Sequence, residues 1–162
     1  MLLQLPVKPY TLKFLTRHLG AAYKLGNVDI YGRFLFALLR QPRTDKQYDD
    51  YLDRYTAKFP VRIVPYLVGD RACKNCSPLT VVHFNSFVEE IFYKEFHDFV
   101  QFRVEENGVQ AKVAIERFCS RFELSEDDIS YETLKKNWQR YLKKEKKRRQ
   151  TGETPSGLSL AA

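Results

Sequence analysis

Glycine, methionine, tryptophan and cysteine are all scarce in this 162-residue chain, which holds seven, one, one and three of them. The seven glycines stand apart from one another, so no glycine-rich loop cradles a phosphate, and a nucleotide-driven enzyme is not expected. Cys73, Cys76 and Cys119 make an odd set without a disulfide framework, which fits free thiols in a reducing compartment. No stretch approaches the roughly 18 uncharged apolar residues that a bilayer span needs, since even Phe84 to Phe102 carries charges throughout. At the start, Met1 to Pro9 has no basic segment followed by a long apolar run, and Pro6 and Pro9 interrupt any helical signal segment. A cytoplasmic protein without membrane contact is expected. His18, His83 and His97 are scattered, and neither GxSxG nor HExxH occurs, so no catalytic residues, cofactor or small-molecule substrate are expected.

Aromatic residues are plentiful instead. Twelve Phe and ten Tyr, within a hydrophobic share of 44%, supply enough apolar area for a packed core. The pattern predicts an α+β fold, mostly helical, with a small irregular sheet packed on a long central helix and a C-terminal three-helix unit. Residues 2–8 alternate as a strand, and Pro9 opens a helix closed by Gly20. A strand is expected at Ala22 to Leu25. Asn27 is the expected cap of a helix running from Ile30 toward Pro42. Arg43 to Arg54 reads as a polar loop or exposed helix with interleaved tyrosines. Val61, Ile63, Val64 and Val68 argue for extended structure, which Pro60 and Pro65 restrict to an edge or an irregular hairpin. Ser77-Pro78 opens the longest helix, with a wide apolar surface from Val82 to Val100 and a narrow polar side at Glu90, Lys94, His97 and Gln101 expected in water. Glu105 to Gly108 ends it. The expected divisions are a mixed α/β body at 1–106, a basic helical unit at 109–149 and a disordered tail at 150–162.

The net charge of +7 lies in one place. Residues 131–150 hold nine Lys or Arg against two Glu, and the other 142 residues balance to zero. Nine like charges in twenty residues repel one another, which favours an anionic partner over a merely solvated face. The leading expectation is nucleic acid; an acidic protein, a membrane surface or plain solubilisation are the alternatives.

Ala111, Ala114, Ile115, Phe118 and Phe122 share one helical face over Val109 to Phe122. Ser125 and Asp128 then have the spacing of a capping box for a short second helix, with Leu124 and Ile129 as its staple, and Ser130 caps a third helix whose apolar edge is Tyr131, Leu134, Trp138, Tyr141 and Leu142. Residues 109–149 thereby resemble the helix-turn-helix DNA-binding unit of bacterial or phage accessory proteins, including regulatory proteins of mobile elements. The resemblance implies that Lys135, Lys136, Asn137, Gln139 and Arg140 reach base edges while Lys143, Lys144, Lys146, Lys147, Arg148 and Arg149 track phosphates. It also implies protein contacts or self-association through the body. Trp138 reads as core. The other reading is a structural or adaptor protein of a phage or nucleoprotein assembly, in which the basic helix only neutralises charge. The acidic Glu126-Asp127-Asp128 beside this helix would repel phosphate unless it points away.

Three weaker signals remain. Cys73 and Cys76 have the spacing of half a zinc site, which lacks a second pair. Asp45, Asp49, Asp50 and Asp53 match no cation loop, and Leu160-Ala161-Ala162 resembles the terminal tag read by bacterial unfoldase proteases.

Overall fold

The computed structural model describes residues 1–40, 52–65 and 76–152. Among them lie three strands, β1 (Leu2–Val7), β2 (Tyr23–Lys24) and β3 (Ala57–Arg62), and five helices, α1 (Pro9–Leu19), α2 (Ile30–Leu39), α3 (Pro78–Glu105), α4 (Ala111–Arg121) and α5 (Tyr131–Thr151). The class is α+β, as the patterning predicts.

The sheet has the order β1-β3-β2, with β1 antiparallel and β2 parallel to β3. Pro60 therefore lies in the central strand and not on an edge. The register explains why this is tolerated. Ile63 exchanges backbone bonds with Met1, so the odd-numbered residues of β3 bond to β1 and Pro60 points its missing donor toward β2. Pairing with β2 begins one residue later, at Val61, so no ladder bond is lost. By the same parity Pro6, opposite Lys58, turns its nitrogen to the free side of β1.

Alternation buries Leu5, Val7, Phe59, Val61 and Ile63 on one face of the sheet. Tyr10, Phe14 and Leu15 of α1 join them in a single core. Asp29, not Asn27, caps α2: its carboxylate accepts from Gly32 N at 2.8 Å and from the Tyr23 hydroxyl at 2.8 Å. Any side chain at Gly32 would collide with Gly26 and Tyr23, so the close approach requires glycine.

At 28 residues, α3 packs against β1, α1 and α2 near its start and against α4 farther on. Its start is tied to the sheet by Asn85, which is only 1% exposed. The Asn85 amide donates to Pro6 O at 2.9 Å and to Val81 O at 2.8 Å, while its oxygen accepts from Lys8 N. Lys8 also pairs with Glu89 one turn farther along. At the far end, Phe118 of α4 meets Phe92, Phe96 and Phe99 of α3 with ring centroids 5.1 to 5.6 Å apart and edges to faces. Phe14 of α1 touches both Phe92 and Phe122, at 5.4 and 5.3 Å, so the core continues without a break from the sheet to the C-terminal helices.

A turn replaces the short second helix expected after α4. Asp128 Oδ2 accepts from both Ser125 N and Ser125 Oγ, each at 2.8 Å, so the serine hydroxyl is engaged by the carboxylate and caps no helix. The preceding stop is equally unadvertised: Glu123 has φ 54°, and Leu124 N bonds back to Cys119 O at 2.9 Å. This is a Schellman ending with glutamate where glycine is favoured. Glu123→Gly removes a left-handed penalty of roughly 1–2 kcal/mol against a glycine entropy loss of roughly 0.5–1 kcal/mol. Urea unfolding should therefore show a variant as stable as the parent or more stable by up to about 1.5 kcal/mol.

Candidate nucleic-acid interface

Helix α5 starts where Ser130 Oγ accepts from Thr133 N at 3.2 Å, the cap expected from its sequence. It runs to Thr151 and ends on Gly152 in the left-handed conformation, two residues into the segment expected to be tail. Residues 153–162, and with them Leu160-Ala161-Ala162, lie outside the described residues.

One side of α5 is a seam. Tyr131, Leu134, Trp138, Tyr141, Glu145 and Arg148 recur every three or four residues and are shielded from solvent. Trp138 and Leu134 are buried, as expected of core positions. Against this seam lie His97 and Gln101, half of the α3 side expected to face water, while Glu90 and Lys94 are exposed as expected. His97 Nε2 donates to Asn137 Oδ1 at 2.5 Å, its ring stacks on Tyr141 with centroids 4.2 Å apart, and the Tyr141 hydroxyl donates to Gln101 at 2.7 Å. His97 and Gln101 thus form the polar half of a helix interface. The i, i+4 spacing of His97 and Gln101 matches that of Asn137 and Tyr141 on α5, a signal that periodicity of apolar residues alone does not carry.

The basic residues divide by direction. Lys136, Arg140, Lys143 and Lys147 are exposed and, at spacings of four, three and four, fall opposite the seam. Lys144 and Lys146 are exposed on its flanks. None of these six has a carboxylate partner among the described residues. Three others do: Lys135 lies 3.6 Å from Glu132, Arg148 is 2.7 Å from Glu145, and Arg149 is 3.9 Å from Glu105. The Lys135 and Arg149 contacts are between exposed groups and hold little energy. Gln139 is exposed, whereas Asn137 is turned inward with its oxygen committed to His97.

Two of the three acidic side chains of the turn, Asp128 and Glu126, are engaged within the fold. Asp128 pairs with Lys13 of α1 at 2.6 Å, and the same ammonium donates to Glu123 O at 2.7 Å. Burial alone would raise the Asp128 carboxyl, but the bonds from Lys13 and Ser125 outweigh it and hold the group below its usual value. Glu126 accepts from Tyr131 N at 3.0 Å at the start of α5, where the helix dipole favours a negative charge.

Cys73 lies outside the described residues, as do Asp45, Asp49 and Asp50 and most of the polar segment 43–54. Burial pushes the Cys76 thiol up to about 12. Among the described residues no three His, Cys, Asp or Glu side chains converge to hold a metal ion, and no helix is long and apolar enough to cross a membrane. His83 is exposed, and His18 bonds to Glu95 at 2.9 Å.

No protein family, curated protein or solved structure matches the chain.

Burial lowers the pKa of His97, against smaller opposing effects of the Asn137 bond and of Asp98. Below pH 6.5 the unfolded chain then takes up a proton that the folded chain still refuses, so this residue makes stability fall as pH drops through 6.5. Titration of the ring resonances by NMR should place the His97 midpoint below 6.5. In His97→Gln, which cannot titrate, this part of the pH dependence should vanish.

Proposed function

We propose that the chain binds nucleic acid, and double-stranded DNA in particular, through the outward face of α5, as a cytoplasmic accessory or regulatory protein without catalytic activity. The body would meet a protein partner or a second copy. One observation carries this reading: Lys136, Arg140, Lys143 and Lys147 form a row on the side of α5 opposite its buried seam, without carboxylate partners among the described residues. The row is about 16 Å long at the rise of an α-helix. A duplex presents one negative charge for about every 1.7 Å of its axis, so several phosphates lie within reach of such a row. The docking of Asp128 on Lys13 engages one carboxylate of the turn that precedes α5.

With Asn137 bonded to His97, the outward residues able to reach base edges are Lys136, Gln139 and Arg140. This shortened set gives weight to the second reading, in which α5 neutralises backbone charge in a nucleoprotein assembly of the phage type and reads little sequence. Binding selection separates the two: direct readout implies a site preferred at least about a thousandfold over random duplex, and neutralisation implies almost no preference.

If the six cations without partners all meet phosphates, log affinity should fall with log salt at a slope of about −5. Gel shifts of the intact chain on a duplex across a salt series measure this. A slope near zero, or undiminished binding after deletion of residues 131–150, defeats the proposal.

A further inference from the structure

From His97 of α3 an open groove of about 770 Å³ runs along one flank of the C-terminal half of α5 and reaches Arg140 and Lys147 at the edge of its outward row. Its charged lining is Arg140, Lys144, Lys147 and Arg148 against Glu145 alone, and Glu145 is already paired with Arg148. Three cations without partners, at positions i, i+4 and i+7, therefore line one concavity. His97 and Tyr141, stacked 4.2 Å apart, also line it, and apolar rings beside cations lower the local dielectric and strengthen attraction for an anion.

Asn137 adds a neutral donor. Because His97 Nε2–H is held by Asn137 Oδ1, the amide nitrogen of Asn137 is left over in the wall of the groove, with no protein acceptor among the described residues. An asparagine whose oxygen is already bonded to His97 has one lone pair left for the paired donor and acceptor contact that reads adenine. It can still donate to an oxyanion. The same holds for the lysines, which donate and never accept. The side chains of Arg140, Lys144 and Lys147 and the Asn137 amide nitrogen thus all offer hydrogen to a ligand rich in negative oxygen.

We propose that this groove seats a phosphate group, held by Arg140, Lys144 and Lys147 with the Asn137 amide as a further donor and His97 as its positioning residue. Taken with the reading of α5 as a nucleic-acid face, on which this assignment of its source rests, the ligand is a strand phosphate that anchors the helix on one flank. A phosphate on a small molecule has the same chemistry and is distinguished below. Anchoring at one flank makes the basic helix directional. Lys144 and Lys147 should matter more than Lys136 and Lys143, although each pair contributes the same charge.

That asymmetry is the test. Lys144→Gln/Lys147→Gln and Lys136→Gln/Lys143→Gln remove two charges each from exposed positions of the full chain. Trp138, the one tryptophan of the sequence, lies 5.4 Å from Tyr141 and 6.3 Å from His97 between ring centroids and reports on the groove by fluorescence. Pyrophosphate is titrated against chloride of matched ionic strength, and duplex affinity is measured in parallel. The expected result is a saturable response to pyrophosphate in the parent and in the Lys136/Lys143 variant that is lost in the Lys144/Lys147 variant. The latter should also bind duplex at least about tenfold more weakly than the former, the scale of a lost charge-assisted contact.

Identical pyrophosphate behaviour in the two variants overturns the groove. A pyrophosphate response confined to the groove, with duplex affinity equal in both variants, overturns the strand as source and assigns a small phosphorylated ligand. Failure of the parent to bind duplex at all sinks the nucleic-acid reading, and the pyrophosphate arm still decides the groove. His97→Gln should weaken the pyrophosphate response, because Asn137 is then free to turn, and should weaken duplex binding too, but by less than the Lys144/Lys147 change, because every cation of the groove remains.

Discussion

Burial of Phe118 among Phe92, Phe96 and Phe99 joins the C-terminal helices to the rest of the chain. The apolar surface of α3 is too wide for the sheet and α1 to cover along its whole length, and α4 closes the remainder. Phe14, in contact with Phe92 and Phe122, makes the two ends of the core one cluster. With α4 fixed, the Glu123 reversal and the Asp128 turn send the chain back, and α5 can bury Leu134 and Trp138 in one rotational setting only. The direction of its cations follows from that setting.

Charge is arranged around the same constraint. Asn85 and the Lys8–Glu89 pair hold the start of α3 to β1, and Lys13 holds the turn before α5 to α1. The polar contacts of His97 and Gln101 then complete the α3–α5 interface. Each carboxylate of α5 is matched locally, Glu132 with Lys135 and Glu145 with Arg148. What is left over is positive, and it points outward or into the groove beside His97. A helix of this composition is tolerable because the seam anchors it while water and counterions screen the rest.

Much of this was legible in residues alone, element by element. Pro9 and Gly20 bracket α1, Ser77-Pro78 opens α3, and Ser130 caps α5, because these residues act on backbone groups one or two positions away. Where the local signal had two readings, pattern misled. Ser125 and Asp128 have capping-box spacing, yet the carboxylate took the serine hydroxyl and Lys13, and a turn resulted. Pro60 looked like an edge residue because the shortness of β2, which leaves its nitrogen without a partner to disappoint, is a property of pairing. Asn27 yielded to Asp29, whose carboxylate also meets Tyr23.

From the linear chain came the class, the helices with their caps, the aromatic core and the confinement of the excess charge to residues 131–150, since composition and short-range periodicity depend on neighbours in sequence. Only the folded molecule settled that His97 and Gln101 lie against α5, that Asn137 is turned inward, that Asp128 docks on Lys13 and that six cations are left without carboxylates. Those outcomes depend on residues 40 to 115 positions apart in the chain meeting in space, and the rotation of α5 that brings them together is set by packing against α3, not by α5 itself.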